Sequence, residues 1–167
     1  MKNMRYLLTS ILMLLCFAAT AQSTIKEQAE KMGAALIGKD YKTFVTFTHP
    51  TIIKEMGGTE KMAAAIEKQM KGMEQTAQIL SISYDEPSSV VKEGNELQCT
   101  VPQTMILKTP QGKILTKSTL IGISTNGGAH WYFVDAGERD INAVKASLPN
   151  VSRKLELPTP VPPQFIQ

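Results

Sequence analysis

The chain has 167 residues, 43% of them hydrophobic and 20% charged, with 18 Lys and Arg against 15 Asp and Glu. That size carries one domain whose core needs neither disulfide nor metal, and the composition excludes disorder, repeats and fibres. The first 21 residues hold Lys2 and Arg5 but no acid, so the remainder has 16 basic against 15 acidic residues and a net charge of +1. Such a balance excludes a nucleic-acid footprint or a polybasic membrane patch, and it identifies no activity.

Lys2 and Arg5 precede an apolar run from Tyr6 to Ala18, broken only by Thr9 and Ser10, and Ala19-Thr20-Ala21 then supplies a small-x-small site. This pattern predicts a signal peptide over residues 1–21, cleavage before Gln22, and export to a periplasmic or extracellular compartment. The run is short for a permanent span, so no membrane association is expected after cleavage. Leu15 stands before Cys16 where lipoprotein processing needs a small residue, so Cys16 leaves with the peptide. Cys99 then has no disulfide partner. It alternates with apolar neighbours in Leu97-Gln98-Cys99-Thr100-Val101 and reads as a buried hydrophobe.

Thr24 and Glu27 fit a capping box, and Ile25, Ala29, Met32 and Leu36 recur at helical spacing until Gly38 closes the helix. Asp40 caps a second, short helix with Tyr41, Phe44 and Val45 on one face. Pro50 suits the first position of a third through Met56, with His49 as its cap, and Gly57-Gly58 stops it. Thr59 is expected to cap a longer helix, whose stripe of Met62 or Ala63, Ile66, Met70 and Met73 reads as core filling.

From Gln78 the period becomes two, with strands expected near 78–85, 88–92, 95–108, 113–124 and 130–136. Short turns between them predict an antiparallel meander. Pro102 cannot donate to a ladder, so its strand should be an edge there or carry a bulge. Both faces of the fourth strand are mixed, as for a bent sheet with helices on one side. Asp140 caps a last helix, Ile141 to Leu148, which ends a single domain over 22–148. Pro158, Pro160, Pro162 and Pro163 then mark 149–167 as an extended polyproline II tail without partners.

Helices followed by a long antiparallel sheet, with Ser124-Thr125-Asn126-Gly127-Gly128-Ala129-His130-Trp131-Tyr132-Phe133-Val134-Asp135 as the best local match, resemble the nuclear transport factor 2-like (cystatin-like) superfamily and its exported bacterial members. The resemblance covers roughly residues 25–136. It implies an α+β cone in which N-terminal helices pack on a curved antiparallel sheet around a pocket. Some members are isomerases, dehydratases or hydrolases, and many are binding or accessory domains.

Fold does not imply function. Isomerase-like chemistry needs a carboxylate base and a donor for the developing enolate. Asp135 ends the last strand, and Tyr41 and Tyr84 carry hydroxyls, but no acid and donor fall at matching motif positions. His130 is expected to be solvated beside a turn. Two histidines and one cysteine far apart give no metal signature, and no phosphate loop or nucleophile elbow occurs, so no catalytic residue, metal or cofactor is assigned. The expectation is a non-catalytic binding domain for a small apolar ligand or a protein partner, with Tyr41, Met70, Trp131 and Asp135 as binding candidates. The alternative is a pocket enzyme of the isomerase or dehydratase kind. Trp131 and Phe133 share a strand face and should turn toward the helices, against Phe44, Ile66 or Met70.

Overall fold

The computed structural model describes residues 24–137 and 139–167. The signal-peptide segment expected over 1–21 lies outside them. A first helix, α1, covers residues 24–37. It ends in a Schellman motif: the Lys39 N–H donates to Leu36 O at 3.2 Å and the Asp40 N–H to Ala35 O at 2.9 Å. The left-handed residue of that motif is Lys39, with φ 60°, and not the neighbouring Gly38. Asp40 then caps α2 (Tyr41–Thr46), its carboxylate accepting from the Thr43 N–H. His49 caps α3 (Pro50–Glu55) by accepting at Nδ1 from the Thr51 N–H. The long helix α4 (Thr59–Met73) starts one residue earlier than expected. Gly58 occupies its cap with no side-chain bond, and Thr59 is already helical.

The sheet has six antiparallel strands: β1 (Gln78–Tyr84), β2 (Val91–Glu93), β3 (Glu96–Thr109), β4 (Gly112–Ser124), β5 (Tyr132–Asp135) and β6 (Gln164–Ile166). It is not a simple meander. β1 and β2 both pair with the same edge of β3, as one lane interrupted over 85–90. Pro102 explains the interruption. Its carbonyl accepts from the Asp85 N–H at 3.0 Å, so the donor it lacks also faces that lane, while its other neighbour is Thr119 of β4. The edge-or-bulge expectation for Pro102 thus becomes a broken lane beside a central strand. On the far side of β4, β5 pairs with the upper half and β6 with the lower.

Register sorts the side chains onto two faces. On one, Ile25, Ala29 and Met32 of α1 pack against Val101, Leu120, Trp131 and Phe133, with Phe44 and Phe47 closing the layer. Trp131 does turn toward helices, mainly α1, and Phe44 of the expected partners packs against the same cluster. Ile66 and Met70 belong to a separate cluster with Tyr41, Val45 and Ala63 that joins α4 to α2. The Ser124–Trp131 turn is tied to α1, because the Trp131 N–H donates to Gln28 Oε1 at 2.9 Å. Gly127 and Gly128 occupy positive φ in that turn, which side chains other than glycine rarely tolerate.

The opposite face is covered too, which corrects the expectation of helices on one side only. Asp140 caps α5 (Ile141–Ser147), and Val144 and Leu148 meet Ile121, Ile123 and Val134 there. The segment expected to begin a free tail continues this core, with Val151 0% and Leu155 5% exposed. Gln98, itself 0% exposed, clamps it. Its amide donates to Asn150 O at 3.0 Å and to Glu96 Oε2 at 2.7 Å, and its carbonyl accepts from the Ser152 N–H at 2.8 Å. Burying an amide costs little when every group is bonded in this way. Beyond residue 157 the chain leads without regular secondary structure to β6, whose Phe165 is 69% exposed.

Candidate functional site

Lys39 and Asp40, which end α1 and start α2, bring the C-terminal end of α1 beside that of α4 and the first residues of β1. The junction leaves a cavity of about 370 Å³. Its walls are Leu36 and Ile37 from α1, Met70 and Met73 from α4, and Ile79 from β1. Lys39, Tyr41, Glu74 and Gln78 complete the lining. Lys39 Nζ and Glu74 Oε1 stand 2.6 Å apart there. This hydrogen-bonded partner holds the Lys39 ammonium above the ordinary lysine range.

A second cleft, also of about 370 Å³, lies on the other side of Lys39, Tyr41 and Glu74. Two ion pairs run along its sides: Lys42 pairs with Glu60 at 3.1 Å and Lys71 with Glu67 at 2.7 Å. Lys39, Tyr41 and Glu74 line both clefts.

Of the four binding candidates, Tyr41 and Met70 meet at this cavity and the other two do not. Trp131 is 2% exposed, inside the α1 layer. Asp135 is exposed at the end of β5, where Oδ1 accepts from the Gly137 N–H at 2.8 Å and Oδ2 from Ser118 Oγ at 3.4 Å. Lys39, Glu74, Gln78 and Ile79 were not anticipated. They converge only because α4 ends beside β1, and nothing in their spacing announces it.

Other reactive groups stand apart from the cavity. Cys99 is buried, as its alternation predicts, and burial pushes its thiol up to about 12. A thiol held protonated is a poor nucleophile. His130 is half-buried, not solvated: its ring stacks on Phe47 at 5.7 Å and Nε2 lies 3.0 Å from Thr46 O. Tyr84 is buried, and its hydroxyl has no hydrogen-bond partner. Burial chiefly, with the charges of Asp135 and Glu30, raises its pKa. A polar row runs from Gln103, whose amide donates to Ser118 Oγ at 3.1 Å, to Asp135 on the same sheet face.

Among the described residues no group of three or more His, Cys, Asp or Glu is placed to hold a metal ion, and no helix is long and apolar enough to cross a membrane. Comparisons with protein families, with curated proteins and with solved structures find no match to this chain.

Proposed function

We propose that this chain is an exported, non-catalytic binding domain of the nuclear transport factor 2-like kind, which takes a small apolar ligand in the cavity between α1, α4 and β1. The observation that carries this reading is the cavity itself. Its lining sets five aliphatic or thioether side chains beside Lys39, Tyr41, Glu74 and Gln78, and its volume lies within the size range of small-molecule sites. Its one carboxylate, Glu74, pairs with Lys39 at 2.6 Å. Met70 and Met73 suit such a site because an unbranched thioether adapts its shape to the ligand. Export rests on the pattern of residues 1–21 and is read by the mass of the secreted protein, which should begin at Gln22.

An apolar naphthylamine probe tests the ligand site. It should gain fluorescence on binding and lose that gain in Met73→Glu, which places a charge in the wall without touching the α2–α4 cluster. Phe165→Ser, at the far sheet edge, should bind like the wild type. Unchanged binding by Met73→Glu would overturn the reading.

The pocket-enzyme alternative has one observation in its favour, the unpartnered Tyr84 hydroxyl near Asp135. That hydroxyl lies beneath α1, where a Cβ at Gly33 would stand 2.7 Å from it, and it is closed to solvent. A donor that no substrate can reach is a weak basis for catalysis.

A further inference from the structure

The ligand's chemical class follows from Lys39, granted the binding site just proposed. Lys39 adopts a left-handed conformation that costs an L-residue free energy, at the helix position where glycine is the usual occupant. A glycine is available one residue earlier, and the chain nevertheless places lysine at the strained position. Strain of this kind clusters at functional sites, and here the side chain lines both clefts. Lys39 is also the single basic residue lining the apolar cavity.

Its partner does not hold it firmly. The two side chains are 62% and 39% exposed, and an ion pair that wet contributes little. An incoming carboxylate can therefore take the place of Glu74, which has open solvent to swing into. Lys42 and Lys71, the other cations along the groove, line only the second cleft and have acids of their own. We propose that the ligand is an amphiphile with an anionic head, a medium-chain carboxylate, whose chain lies against Leu36, Ile37, Met70, Met73 and Ile79 and whose head is selected by Lys39.

Calorimetric titration of the exported chain with octanoate, octanol and octyltrimethylammonium at neutral pH tests this. Octanoate should bind at least about tenfold more tightly than either of the others. Lys39→Gly should lower octanoate to the level of octanol, leave octanol within about twofold, and keep or raise the melting temperature, because glycine relieves the strain. Equal affinity for octanoate and octanol in the wild type would overturn the assignment of the head, as would a carboxylate preference that survives Lys39→Gly. A lowered melting temperature with an unchanged preference would make Lys39 a purely structural residue and overturn it likewise. Binding of none of the three compounds would instead refute the apolar site on which the inference rests.

Discussion

Trp131 is bonded at two points: its backbone N–H donates to Gln28 Oε1 and its indole N–H to Gly128 O at 3.1 Å. Its ring fits because position 122, across the β4–β5 pair, has no side chain. A Cβ there would stand 3.0 Å from Cys99 Sγ and 3.4 Å from the indole. Truncating so large a buried side chain removes its transfer free energy and leaves a cavity, so Trp131→Ala should cost about 3–5 kcal/mol in urea denaturation. Wild-type emission should be blue and resist iodide, and red, readily quenched emission would contradict the packing described here. Tyr84 gives the opposite sign. Its hydroxyl is desolvated and gains no bond in return, so Tyr84→Phe should raise stability by about 1 kcal/mol. A loss of that size in the same denaturation experiment would show that the hydroxyl does hold a partner.

At the scale of elements, His49 couples a helix cap to pH. It accepts at Nδ1 from the Thr51 N–H, which only an imidazole unprotonated at that nitrogen can do. Burial lowers its pKa in the folded chain, against a smaller opposing pull from Glu96. The unfolded chain then binds more protons between that lowered value and about 6.5, so stability rises with pH through this window. His49 contributes fully above about pH 6.5 and progressively less as pH falls below it. His49→Asn keeps a capping oxygen without a titrating proton. The difference in melting temperature between wild type and this variant should shift against the wild type on acidification, and a pH-independent difference would refute the coupling.

Element starts of this kind were legible because caps are local: Asp40, His49 with Pro50, and Asp140 all act within three residues. The strands were legible from their period of two. What was not legible is long-range. Gln98 alternates like any solvent-facing strand residue, and only α5 and the segment after it, far along the chain, make that face interior. Pro102 announced a break in pairing but not which neighbour would break. For the cavity, Tyr41 and Met70 were found because aromatic and thioether side chains signal apolar surface. Lys39 was missed because the glycine before it accounts for the helix stop equally well in sequence.

For the whole molecule, the decisive matter is where the domain ends. Composition places the boundary at Leu148, since prolines and polar residues follow, but burial places it near Leu157. Val151 and Leu155 close the second face of the sheet with Val144 and Leu148, and Leu157 packs against them. Fully burying a large aliphatic side chain contributes about 1.5–3 kcal/mol, so Val151 and Leu155, with a smaller share from Leu157, match a large part of a domain's total stability of about 5–15 kcal/mol. Removing them also breaks the bonds of the Gln98 amide to Asn150 and Ser152, which water then replaces. A chain ending at Leu148 should therefore lose its cooperative urea transition, or retain one of much lower midpoint. A chain ending at Leu157 keeps both the core and the clamp and should unfold within about 1 kcal/mol of the full chain, because β6 adds only three residues with Phe165 largely in solvent. Retention of full stability by the shorter chain would show that 149–157 contributes nothing to the second core. Collapse of the longer one would instead make β6 and the proline-rich crossing part of what holds the fold together.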